Sequence, residues 1–277
     1  MGKRILFSAG IGLLACGALM ADAITHNNCN LPLCADGILT SQSIFDNQGI
    51  GQAAVAAGTN NMFTVEAFKD AGVYGKLDYK TRAGVMGIGV KGPTGGNATN
   101  GKVANAEIDV YQGGRESLRI SWAAPSLVSE LQLSFLFPMG EHDDLLYNER
   151  AYIKFINTYT SVSAVFVLEA TGKTTATFSG PGTVLNLSPA QDGVNDIGPA
   201  GAALWQISGA SIAGILANQV ELYAPAETGF RKNYLSDFAF TKLVIDCPEP
   251  PQEVPEPGTW AMLGAGLIGL GIRRGKR

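Results

Sequence analysis

Ser117–Trp122 (SLRISW) and Glu130–Phe137 (ELQLSFLF) decide the fold. In the first, Leu118, Ile120 and Trp122 alternate with Ser117, Arg119 and Ser121; in the second, Leu131, Leu133, Phe135 and Phe137 fall on one side. A period of two marks a half-buried antiparallel strand. Working outward, Ala151–Tyr159, Ser163–Ala170, Thr174–Ser179, Ala203–Ile207, Gln219–Tyr223 and Ser236–Asp246 continue the series. The breaks carry turn chemistry: Gly92-Pro93, Thr171-Gly172-Lys173, Gly180-Pro181-Gly182 and Asp192-Gly193. Short strands at even spacing, with no long amphipathic helix between them, predict an all-β antiparallel two-sheet sandwich of jelly-roll type. The absence of an internal repeat argues against a propeller or solenoid. Upstream, Asn27–Asn61 reads as loop with one short helix around Gln48–Ala57, and the strands are expected from Val73 onward.

Both ends of the 277-residue chain read as processing segments. Met1–Ala23 has a charged start (Lys3, Arg4), an uncharged run Ile5–Leu19, and small residues at Ala21 and Ala23 where signal peptidase would cut. A looser alternative is the lipoprotein-like box Leu13-Leu14-Ala15-Cys16. Without the signal and the basic last residues, the body holds 14 basic and 23 acidic side chains, a net of −9. Such a body argues against nucleic acid and anionic lipid as partners, since both need a basic face. Metal cations and neutral sugars fit it. Cys29, Cys34 and Cys247 follow the signal, and export favours a disulfide. Cys247 pairs with one of the early two if the domain's ends lie together; the alternative is a Cys29–Cys34 loop with Cys247 free.

After Cys247 comes a Pro/Glu-rich linker, residues 248–257, which favours extended chain. Gly258–Ile272 is uncharged, apolar and Gly-rich, and Arg273-Arg274-Gly275-Lys276-Arg277 closes the chain. A helix of that run would be about 22 Å long, short for a hydrocarbon core of about 30 Å. The basic end suits the cytoplasmic side. Val254-Pro255-Glu256-Pro257, the short apolar run and the basic end together closely resemble the PEP-CTERM sorting signal. The resemblance implies export, transient membrane retention through the C-terminal transmembrane segment, and recognition by an exosortase acting near Pro255-Glu256-Pro257. It also implies delivery to the surface or extracellular matrix of a Gram-negative bacterium that makes exopolysaccharide and biofilm.

Within the body, 24–247, the stretch from Gly84–Val90 (GVMGIGV) through Glu107-Ile108-Asp109 to Glu116–Ile120 looks like a pattern found in PEP-CTERM passenger domains. Glu107, Asp109 and Glu116 lie near strand starts, and Asp237 opens the last long strand. They read either as solvated edge charges or as carboxylates converging on Ca²⁺, which takes six to eight oxygens. Glu141, His142, Asp143, Asp144 and Glu149 form a second acidic group, read as a solvated loop. His26 and His142 are the only histidines, and there is neither H-E-x-x-H nor G-x-S-x-G. The expectation is a non-catalytic exported protein. A calcium-stabilised, carbohydrate-binding, lectin-like module and a secreted hydrolase are the alternatives. Tyr147, Tyr152 and Tyr159 near loops or strand ends are the aromatics that would stack on sugar rings.

Overall fold

The computed structural model describes residues 34–70, 72–91, 106–111, 114–140, 148–188, 202–225 and 236–248. The N-terminal part carries β1 (Gly37–Thr40), α1 (Ser41–Asp46), β2 (Ala54–Ala57), β3 (Phe63–Asp70), β4 (Val73–Tyr74), β5 (Leu77–Arg82) and β6 (Val85–Val90). Then come β7 (Val110–Tyr111), β8 (Gly114–Arg115), β9 (Ser117–Ser134), β10 (Arg150–Asn157), β11 (Val162–Gly172) and β12 (Thr175–Phe178). β13 (Thr183–Asn186), β14 (Trp205–Ser208), β15 (Ala217–Tyr223) and β16 (Ala239–Asp246) complete the series. All pairings among the described residues are antiparallel, so the all-β expectation holds.

The organising element is β9, 18 residues long. Its first half pairs with β3 on one side and β15 on the other; β15 continues to β10, β11 and β12. Its second half pairs with β14 and β16, and β16 continues to β1, β6 and β5. Among the described residues the pairs thus make one 14-stranded sheet, whose two halves, the first and second sheets below, share β9, with β7 and β8 paired apart. The register against β15 jumps between Ser121↔Gln219 and Ser126↔Ala217, and Pro125 sits inside that jump. A proline has no N–H to give a ladder and is tolerated at such irregularities. The two strands expected over Ser117–Trp122 and Glu130–Phe137 are therefore one. It stops at Ser134 because Phe135 takes a positive φ of 65° and donates its N–H to the Ala202 carbonyl.

The inward faces of both sheets form one core: Phe63, Leu118, Ile120, Ile153 and Phe155 from the first, Leu131, Leu133, Phe240, Leu243 and Ile245 from the second. Trp205 is buried there and its Nε1–H donates to the Leu136 carbonyl.

Two expectations upstream are corrected. The helix lies at Ser41–Asp46, not Gln48–Ala57, because Thr40 and Ser43 close a reciprocal capping box there. Ala54–Ala57 instead pairs with β3, and strands begin at Gly37, well before Val73.

Cys34 and Cys247 are joined by a disulfide, with Cα atoms 5.6 Å apart. It sits beside the β1–β16 pair, where the Cys247 N–H donates to Asp36 Oδ1 at 2.7 Å. The alternative small Cys29–Cys34 loop is thereby excluded. Cys29, the signal segment with Ala21 and Ala23, and the tail with Val254, Pro255, Glu256 and Pro257 lie outside the described residues. Among the described residues no helix is long and apolar enough to cross a membrane.

Candidate functional site: a buried carboxylate cluster

Four chain segments that lead into or out of strands carry the cluster. Residues 106–109 follow β6, with Val90 bridged to Glu107 and Ile108 to Phe238. Glu116 immediately precedes β9, and its N–H donates to the Asp109 carbonyl at 2.9 Å. Glu149 immediately precedes β10, and its N–H donates to the Phe137 carbonyl at 3.0 Å. Asp237 precedes β16, held by Ser236, whose Oγ accepts from the Arg150 N–H at 2.9 Å. Gly89 makes the first segment's approach possible: a Cβ there would collide with the backbone of Ala106 and Glu107. The Gly-rich strand and the acidic segment thus belong together sterically.

The carboxyls are not solvated edge charges. Glu107, Glu116 and Glu149 are 2%, 3% and 1% exposed. Lys80 Nζ donates to Glu107 Oε1 at 2.6 Å. Lys80 reaches it from β5, opposite Gly87, with its ammonium 5.0 Å from the centroid of the Phe135 ring. The Asp109 N–H donates to Glu116 Oε2 at 3.4 Å. Glu149 accepts from the Phe137 N–H. Asp109 Oδ1 is buried with no hydrogen-bond partner.

The electrostatics follow from that crowding. Burial pushes Glu107 up to about 8; the Asp237 charge adds to the rise and Lys80 opposes it. Burial and then Asp237 push Asp109 up to about 7. Burial and then Asp109 push Glu116 up to about 9. Glu149 is raised well above the ordinary carboxylate range by burial first and Asp237 second. Carboxylates withdrawn from water and set beside one another favour the protonated form.

The structure sets the four candidate metal residues, Glu107, Asp109, Glu116 and Asp237, within electrostatic reach of one another and adds Glu149 and Lys80. Glu149, expected in the solvated acidic loop, is buried instead, while Glu141, His142, Asp143 and Asp144 lie outside the described residues. A signal for it existed. Carrying the alternation of Ala151, Ile153 and Phe155 back by two residues puts Glu149 on the inward face. Lys80 had no such signal: on β5 the charged Asp78, Lys80 and Arg82 share one face and Leu77, Tyr79 and Thr81 the other, so the alternation by itself points Lys80 toward solvent. Among the described residues, no group of three or more His, Cys, Asp or Glu side chains is spaced to hold a metal ion as it stands.

Residues 253–277 match the family model for the PEP-CTERM protein-sorting motif. The match covers Val254-Pro255-Glu256-Pro257, the apolar run and the basic end. No curated protein and no solved structure matches the chain.

Proposed function

We propose that this chain, an exported protein whose PEP-CTERM motif marks it for membrane-linked sorting and exosortase processing, serves as a non-catalytic component of the cell surface or exopolysaccharide matrix of a Gram-negative bacterium. The observation that carries the reading is the motif match over residues 253–277. The acidic, β-rich body is in keeping with an extracellular role, and the lack of a nucleophile or metalloprotease motif supports a non-catalytic one. Replacing Pro255, Glu256 and Pro257 with alanine tests the sorting step. The expected result is that the unprocessed chain stays with the inner membrane and the surface yield falls. Unchanged processing and surface yield would sink it.

A specific observation favours a calcium-stabilised body. Glu107, Asp109, Glu116, Glu149 and Asp237 carry the oxygen donors a hard cation takes, and they would have to turn toward it, since they are not spaced to hold one as they stand. The partnerless Asp109 Oδ1 is the orphaned atom such an ion would satisfy. Without a bound cation, the raised carboxyls favour holding protons and the Lys80 ammonium faces Glu107. Ca²⁺ would take the place of those protons, with the carboxyls turning toward it. Thermal unfolding in EDTA against millimolar Ca²⁺ is the measurement: the expected result is a higher Tm with Ca²⁺. An identical Tm in both would remove calcium from the account.

A further inference from the structure

We propose that the outer face of the first sheet is a stacking platform for a neutral polysaccharide strand. Cross-strand register places Phe68 (β3), Ser117 (β9), Tyr223 (β15), Tyr152 (β10) and Val167 (β11) in one row on that face. Phe68 is itself buried, 5% exposed, and Tyr74, 59% exposed, stacks on it with centroids 5.0 Å apart, so Tyr74 is the ring presented at that end of the row. Tyr152 and Tyr223 lie 5.4 Å apart, tilted by 31°. From Phe68 to Tyr152 the row crosses three strand spacings, roughly 14 Å. Ser117 separates the two aromatic pairs with a small hydroxyl side chain.

The neighbouring row runs Glu66, Arg119, Glu221 and Lys154 in the same register. It alternates in sign and balances to zero, with Arg119 3.9 Å from Glu66. Guanidinium groups also brace the rings: Arg119 lies 4.4 Å from the Phe68 centroid and the exposed Arg115 4.1 Å from that of Tyr223. A pyranose has one face of C–H bonds and a rim of hydroxyls. The rings of Tyr74 and Tyr152 suit the first, through contact with their electron-rich faces. The charged row suits the second, since carboxylates accept from hydroxyls and Lys and Arg donate to them. Charge selects the occupant: the row is balanced and the body carries a net −9, which repels polyanions.

This inference rests on the matrix-associated reading above, and the test separates the two. Full-length protein in mild detergent is run through native gels holding hydroxyethylcellulose, galactomannan or dextran, with alginate as the polyanionic control. The expected result is retardation by a neutral polymer and none by alginate. Tyr152→Ala and Tyr223→Ala each weaken binding about threefold to tenfold at unchanged Tm. Tyr152→Phe keeps it, as does Tyr79→Ala, an exposed ring on β5 of the other sheet. If both alanine variants bind like the parent, this face is not the site although polysaccharide association stands. If no neutral gel retards the parent, the platform is overturned, while the sorting reading stands or falls on the Pro255, Glu256 and Pro257 variant. If the parent dimerises and Tyr223→Ala makes it monomeric, the face is a contact between copies and the platform is overturned.

Discussion

At the scale of single residues, the raised carboxyls make stability depend on pH in an unusual direction. The ordinary values are 4.5 for Glu107 and 3.8 for Asp109, against about 8 and about 7 in the fold. Between those limits the folded chain holds more protons than the unfolded one. Stability therefore falls as pH rises. The cation-free protein should be most stable near pH 4–5 and lose stability as pH climbs through about 7, 8 and 9, the folded values of Asp109, Glu107 and Glu116. Chemical denaturation in EDTA across that range checks this; a midpoint that rises with pH would contradict it. Asp237→Asn removes the charge that raises Glu107, Asp109 and Glu149. It should raise the Tm at pH 8 in EDTA while abolishing any gain from Ca²⁺, measured on the same samples.

At the scale of elements, β9 shows where sequence reasoning was sufficient and where it failed. Both of its halves were legible from alternation. Their continuity was not, for two physical reasons. The inward positions that join them, Ala124 and Ser126, are too small or too polar to extend a hydrophobic pattern. The inward set then skips from Val128 to Leu131, where the pairing against Val244 and Ile245 also shifts register. A bulge changes the phase of the alternation, so one strand reads as two. The carboxylate positions were legible because they flank strands, but their burial depends on long-range closure that no local pattern reports. Gly89 is part of that closure. Gly89→Ala should cost about 1–3 kcal/mol by overpacking, and it should blunt the response to Ca²⁺ by displacing Glu107. Urea unfolding with and without Ca²⁺ measures both.

At the scale of the molecule, the Cys34–Cys247 bond closes a loop with a sequence separation of 213. Cross-links over long loops restrict the unfolded chain most, and losing a native one costs about 2–5 kcal/mol. Cys34→Ser with Cys247→Ser should lower the denaturation midpoint accordingly, with the β spectrum retained at room temperature. The same bond has a mechanical meaning. Anything that pulls on the linker at Cys247 while the N-terminal side is held loads two sulfur atoms and bypasses every sheet. In an optical trap the oxidised body should extend like a short inert link at forces that unravel ordinary β domains. Adding reductant should release about 70 nm of chain from the 213-residue loop. A body stretched between its N-terminal side and its tail would then carry the load through a covalent shunt, leaving its folded surface undistorted.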